Sequence, residues 1–128
     1  MTIFAGARFV IAVPSLSEAI TFYRDSLGCS LDFATEGWAF LSRDSFSLMI
    51  GECAEAIPPL DLGDHSYFAY IQVTDIDGLH ANLLSKNINV HHPLGDRPWG
   101  MREFGIRTPD GHRIMFGQPQ NECSPQSQ

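Results

Sequence analysis

Asp110-Gly111-His112-Arg113-Ile114-Met115-Phe116-Gly117 closes the second half of this chain, and Asp44-Ser45-Phe46-Ser47-Leu48-Met49-Ile50-Gly51 closes the first. The Asp, Met and Gly coincide, while Leu48/Ile114 and Ile50/Phe116 are apolar in both. Upstream, Val13-Pro14-Ser15-Leu16 stands ahead of a helical pattern and returns as Val73-Thr74-Asp75-Ile76. The offset is 60 residues at the upstream pair and 66 at the closing pair, so one longer loop is expected in the second half, around His91 to Trp99. A duplicated unit limits the fold and places a ligand on the surface that both halves share.

Working outward, Arg8 to Val13 reads as a strand, rich in Val, Ile and Phe. Ser15-Leu16-Ser17-Glu18 is a capping box for a helix whose stripe is Leu16, Ala19, Ile20, Tyr23 and Leu27, with Gly28 as its left-handed stop. Short strands are predicted near 31–34, 38–41 and 46–50, with Arg43-Asp44 in a tight hairpin. The second half repeats the plan: a strand over 68–73, an Asp75-capped helix striped by Ile76, Leu79, Leu83 and Leu84, and Asn87 at its stop. Strands near 89–91, 102–107 and 113–117 follow, with a turn at Thr108-Pro109-Asp110-Gly111. The predicted topology is βαβββ twice, an α+β fold of tandem modules forming a curved mixed sheet with a cleft.

The composition fits one domain of 128 residues, 44% hydrophobic and 18% charged. A domain over 1–118 is expected, with modules at about 7–52 and 66–118, a Pro-rich linker at 53–65, and a flexible tail at 119–128. Cys29, Cys53 and Cys123 are odd in number and scattered, which suits reduced thiols in a cytoplasmic protein. No apolar run reaches the roughly 18 residues of a membrane span, and the N-terminus lacks a basic signal region. The net charge of −7 disfavours a nucleic-acid partner and suits cationic small molecules.

Strand alternation sorts the side chains by face. Phe9, Ile11 and Val13, then Ala69 and Ile71, Leu48 and Ile50, and Ile114 and Phe116 suit packing under a helix. The opposite faces are mixed and suit a ligand-binding concavity, lined by Arg8, Met49, Phe68, Tyr70, Trp99, Met101, Glu103 and Met115. Glu103 is the best candidate for a functional carboxylate, as partner to a cationic ligand, as partner to Arg8, or as general base. The structural alternative is an ion pair with Arg8 or Arg113. Trp38 is assigned to the core. The Met49/Met115 pair suits either plain packing or an adaptable binding surface.

Phe22-Tyr23-Arg24-Asp25-Ser26-Leu27-Gly28, Trp99-Gly100-Met101-Arg102-Glu103-Phe104 and the Pro109–Phe116 stretch resemble the glyoxalase/bleomycin-resistance/extradiol-dioxygenase superfamily, also called vicinal oxygen chelate, over about residues 7–118. The resemblance implies two βαβββ modules curling into a cleft, usually in a homodimer. Enzymes of that superfamily usually hold a divalent metal at four positions, which fall here on Arg8, Met49, Phe68 and Met115. None is a sensible ligand for such an ion, since guanidinium and phenyl groups offer no donor and thioethers suit Cu(I). Histidines elsewhere do not replace them. His91 and His92 are adjacent and should face opposite ways; His80 belongs to the helix boundary, His112 to a turn, and His65 has no partner at ligand spacing.

No metal, cofactor or catalytic residue is therefore expected. The reading is a cytoplasmic, homodimeric binder of a small, partly aromatic or cationic molecule, similar to the metal-free bleomycin-resistance-like branch. Sequestration of a toxic compound, as in antibiotic resistance, is the implied purpose. The alternatives are a lyase, isomerase or dioxygenase with a non-standard or metal-free site, and a regulatory or interaction module.

Overall fold

A computed structural model describes residues 1–55, 59–62 and 67–122. The chain divides into two units, Met1–Ile57 and Pro58–Gln128. In the first, β1 (Phe9–Val13), α1 (Leu16–Thr21), β2 (Ser30–Thr35), β3 (Trp38–Arg43) and β4 (Phe46–Glu52) build a sheet of order β1-β4-β3-β2. In the second, β5 (Tyr67–Gln72), α2 (Ile76–Ser85), β6 (Asn89–Asp96), β7 (Met101–Arg107) and β8 (Arg113–Pro119) build the order β5-β8-β7-β6. The first strand of each unit runs parallel to the last, and the other neighbours are antiparallel. The parallel pair demands a crossover, which the helix supplies. This is the α+β, twice-repeated βαβββ plan.

Local chemistry explains where the elements begin and end. Ser15 Oγ accepts from the Glu18 N–H at 3.4 Å, the near arm of the predicted capping box. A second orphan donor of α1, the Leu16 N–H, reaches Glu52 Oε2 at 2.8 Å, so the end of β4 helps cap the helix. The helix predicted through Leu27 is α-helical only to Thr21 and then widens into a π-turn over Phe22–Ser26. That turn lets the Phe22 and Tyr23 rings meet edge-to-face at 5.2 Å while both remain buried. Gly28 then takes a φ of 72° and ends the element. In the second unit, Asp75 caps α2 through the Gly78 N–H, and Gln118 Oε1 accepts from the Ile76 N–H at 3.0 Å. Asn87, at φ 60°, follows the end of α2, where the sequence placed the stop.

Each core lies between a sheet and its helix. Ile11, Val13, Leu41, Leu48 and Ile50 are buried in the first unit together with Ala19, Tyr23 and Leu27. In the second, Phe104 stacks on Phe116 with centroids 5.2 Å apart, and His80 of α2 meets the Phe104 ring edge-on, as a boundary histidine should. Phe9 departs from its predicted burial: it is 41% exposed, with its ring 5.7 Å from that of Phe46. The longer second-half segment is β-structure rather than loop as far as Asp96, with register shifts between Val90 and His92 and between His92 and Gly95. Of the predicted tail, Pro119 closes β8 and Gln120–Glu122 forms a 3-10 turn; positions 123–128, like His65 and parts of the linker, lie outside the described residues. No helix among the described residues is long and apolar enough to cross a membrane.

Candidate functional site

The face of each sheet turned away from its helix follows from the pairing register. In the second unit the β7–β8 ladder opposes Glu103 to Gly117, Gly105 to Met115 and Arg107 to Arg113. Tyr70 pairs with Met115 from the other side, through β5. These residues alternate with Phe104, Ile106, Ile114 and Phe116, which are buried on the helix side, so they occupy the open face.

Glu103 organises this face. Its carboxylate is only 5% exposed, although two of the groups around it are open to solvent: Tyr70 at 47% and Trp99 at 66%. Oε2 accepts from the Tyr70 hydroxyl at 2.6 Å and from the Trp99 indole N–H at 3.1 Å. Arg97 Nε stands 3.9 Å from Oε1, an electrostatic contact too long for a hydrogen bond. The ion pair weighed at sequence level with Arg8 or Arg113 is thus replaced within this unit by Arg97 and two neutral donors. Two aromatic N–H and O–H groups satisfy a carboxylate without neutralising it. Desolvation of the phenol, then its bond to Glu103 and the charge of that carboxylate, push the Tyr70 pKa up, so the hydroxyl stays a donor. The geometry shows how a half-exposed ring has a desolvated hydroxyl: it lies across Gly117, where an added Cβ would collide with Tyr70 Oη.

Of the other predicted residues in this unit, Met115 lies over Gly105, where a Cβ would come within 2.6 Å of its sulfur, and Met101 is half-buried on β7. Phe68 sits at a register shift in β5, with its ring edge-on to His112 at 5.5 Å. In the first unit, Arg8 is exposed and its guanidinium lies 5.8 Å from the centre of the Phe40 ring, while Phe40 pairs with Met49. The assignment of Trp38 to the core is corrected. It is 41% exposed and lies over Gly51, where a Cβ would come within 2.9 Å of the indole. The signal was present in the sequence, because Trp38 is out of phase with the buried Ala39 and Leu41. Phe33, at 5.9 Å edge-on to Phe40, and the exposed Val10 complete this apolar face and were not singled out.

A second correction concerns His91 and His92. The bulge at His91 breaks the alternation, and the two rings lie 4.9 Å apart instead of on opposite faces. A separate depression at the start of α2, lined by Thr74, Asp75, Ile76, Asp77, Gln118 and Glu122, contains none of the predicted site residues.

The duplicated βαβββ architecture is the fold of a known superfamily. A family model for the Glyoxalase/Bleomycin resistance protein/Dioxygenase superfamily matches residues 7–116, and the chain belongs to that family. It is 28% identical over 123 residues to a bleomycin resistance protein of Geobacillus stearothermophilus, covering 84% of this chain and 92% of the relative. The crystal structure of a bleomycin-binding protein from bleomycin-producing Streptomyces verticillus, complexed with copper(II)-bleomycin, superposes with a TM-score of 0.70 at 28% identity, covering 91% and 97% of the two chains. A glyoxalase/bleomycin resistance protein/dioxygenase from Alicyclobacillus acidocaldarius shares the fold, with a TM-score of 0.76 at 20% identity over 91% of this chain and 92% of that one.

The metal that many members hold does not fit the residues present here. The guanidinium of Arg8 lies over a phenyl ring, Phe68 packs on His112, and Met49 and Met115 offer only thioethers. Among the described residues, no group of three or more His, Cys, Asp or Glu side chains is placed to hold a metal ion.

Proposed function

We propose that this protein binds a small, partly aromatic, cationic molecule at the open sheet face built around Glu103 and sequesters it. The observation that carries the reading is Glu103, a buried carboxylate held by Tyr70 and Trp99 beside their exposed rings. A solvent-facing sheet does not ordinarily gather such rings around a desolvated charge. Glu103 is the anchor for positive charge, while Tyr70 and Trp99 provide surfaces for a planar group, with Met101, Met115 and Phe68 as further apolar lining. Arg8 and Met49 carry the corresponding role in the first unit. Stacking adds about 0.5–1.5 kcal/mol per aromatic pair beyond area burial.

The relatives support the same direction, since one is named for bleomycin resistance and another is described bound to copper(II)-bleomycin. Titration of Trp fluorescence with copper(II)-bleomycin, and with simpler aromatic cations, tests the proposal. Saturable quenching is expected, with Glu103→Gln weakening binding about tenfold, equivalent to about 1.4 kcal/mol. Binding unchanged by both Glu103→Gln and Trp99→Ala would remove this site from the function. The protein acts as a cytoplasmic homodimer in this reading, because pairing covers the edges of small sheets.

A further inference from the structure

Glu103 is flanked by glycine on both neighbouring strands. It pairs with Gly117 of β8 on one side and with Gly95 of β6 on the other. Each glycine is covered by a side chain from elsewhere. The Tyr70 hydroxyl lies where a Cβ on Gly117 would go, and Arg97 Nη1 would stand 2.7 Å from a Cβ on Gly95. Residues directly opposite one another in a strand pair share a face. The two missing Cβ atoms therefore leave a trough across β6, β7 and β8, with the carboxylate at its centre.

The two sides of the trough are filled unequally. On the Gly117 side, Oε2 accepts from Tyr70 at 2.6 Å and from Trp99 at 3.1 Å, which occupies both of its lone pairs. On the Gly95 side, Oε1 accepts no hydrogen bond from any described residue, and its nearest cationic atom is Arg97 Nε at 3.9 Å. Arg97 is fastened elsewhere. Its Nη2 donates to Pro93 O at 2.8 Å and its backbone N–H to Met101 O at 2.8 Å. Its carbonyl accepts from the Gly100 N–H at 3.1 Å and from Gln120 Nε2 at 3.2 Å. These bonds hold the guanidinium beside Oε1 rather than on it. The Glu103 side chain is 6% exposed, so water does little to replace the missing donor.

We propose that Oε1 of Glu103 is the acceptor for a primary ammonium group carried on an aromatic ligand. The inference rests on the anchor role given to Glu103 above and names the class of cation that the anchor takes. An N–H on a cationic nitrogen brings that nitrogen to about 2.7–2.9 Å from a carboxylate oxygen. A quaternary ammonium has the charge but no N–H, and its methyl groups hold the nitrogen farther away. The parallel fork of a guanidinium needs both oxygens, and Oε2 is already filled. A compact ammonium needs only one. The exposed Tyr70 and Trp99 rings stand beside it for the aromatic part of the ligand.

Calorimetric titration with benzylamine and with benzyltrimethylammonium at neutral pH tests the inference, because the two probes share a ring and a charge. Benzylamine should bind about tenfold more tightly or better. In Glu103→Gln the new amide turns its oxygen to the Tyr70 and Trp99 donors, which points its NH2 group at the ligand. Benzylamine binding should fall about tenfold or more, while the retained bonds keep the fold, checked by Tm. The Trp99 indole N–H resonance of the unaltered protein, assigned by its absence in Trp99→Phe, gives a reading independent of how Glu103→Gln folds. It should move with benzylamine far more than with the quaternary probe at equal concentration. Equal affinities that both fall in Glu103→Gln would overturn the N–H requirement and leave Glu103 as an anchor for charge. Affinities that Glu103→Gln leaves unchanged would overturn the anchor as well. Failure of benzylamine to bind would overturn the ammonium class, with the anchor role judged separately by copper(II)-bleomycin.

Discussion

Gly117→Ala places a methyl group where the Tyr70 hydroxyl now lies. Gly117 is buried in the middle of β8, opposite Glu103, so backbone and neighbouring strand leave the new Cβ no room to retreat. The Tyr70 ring must swing away and its 2.6 Å bond to Glu103 Oε2 is lost. A hydrogen bond to a charged group contributes about 1.5–3 kcal/mol. The half-exposed phenol recovers water, but the carboxylate at 5% exposure regains little, and it keeps Trp99 as a donor. Alanine is preferred over glycine in a strand by about 0.5–1 kcal/mol. The expected net destabilisation is therefore about 1 kcal/mol, or a fall in Tm of roughly 3–6 °C. Urea unfolding of the four combinations with Tyr70→Ala isolates the cause, because Gly117→Ala should cost nothing once the ring is gone. Alkaline ultraviolet titration supplies a second reading: the raised phenol of Tyr70, identified by its absence in Tyr70→Phe, should return toward its ordinary value near pH 10. An equal penalty with and without the Tyr70 ring, or an unchanged phenol titration, would refute the argument.

Other expectations follow from the same geometry. The raised Tyr70 pKa makes its contribution complete below about pH 10 and lost as pH climbs beyond it, so Tyr70→Phe should flatten the alkaline fall in stability measured by urea unfolding. Burial pushes the Cys29 thiol up to about 11, so in a Cys53→Ser/Cys123→Ser background the native protein should resist alkylation at neutral pH and react on unfolding. Phe104→Ala removes the stack on Phe116 and the ring beneath His80, and should cost about 3–5 kcal/mol in chemical denaturation. Light scattering should return twice the 14.2 kDa chain mass.

The fold was legible because duplication doubles every signal: two capped helices, two Met-centred fourth strands, and two left-handed stops at Gly28 and Asn87. Alternation correctly separated Leu48 from Met49 and Ile114 from Met115, since a period of two leaves little choice once one face is buried. It failed where the backbone departs from that period. The bulge at His91 is a single extra residue that strand alternation does not anticipate, and it turns two histidines predicted to diverge into neighbours. Trp38 failed for another reason: it was assigned to the core against its phase, and phase was the better guide. The partners of Glu103 were half visible. Trp99 and Tyr70 were named with it as lining residues, but the approach of Arg97 depends on the loop's folding back through the Arg97 N–H to Met101 O bond at 2.8 Å, which no spacing rule reports.

The repeat also supplies an internal control. Gly51 and Gly117 occupy equivalent positions, and each lies beneath an aromatic ring: Trp38 over the first, Tyr70 over the second. The rung opposite Gly117 holds Glu103, whereas the rung opposite Gly51 holds Trp38 itself. The two units thus share a backbone and differ in charge: an apolar platform in one, a carboxylate with aromatic donors in the other. Gly51→Ala should accordingly behave unlike Gly117→Ala. The methyl would meet the far edge of the Trp38 indole at 2.9 Å, so the ring must shift. That indole is 41% exposed and, among the described residues, makes no side-chain hydrogen bond that the shift would break. The cost reduces to some lost contact, set against the same gain of about 0.5–1 kcal/mol in backbone preference. Stability within about 0.5 kcal/mol of the parent is expected, with the Tyr70 titration unmoved and the Trp emission altered. A loss as large as that of Gly117→Ala would mean that ring displacement alone is responsible, and that the Glu103 hydrogen bond contributes nothing.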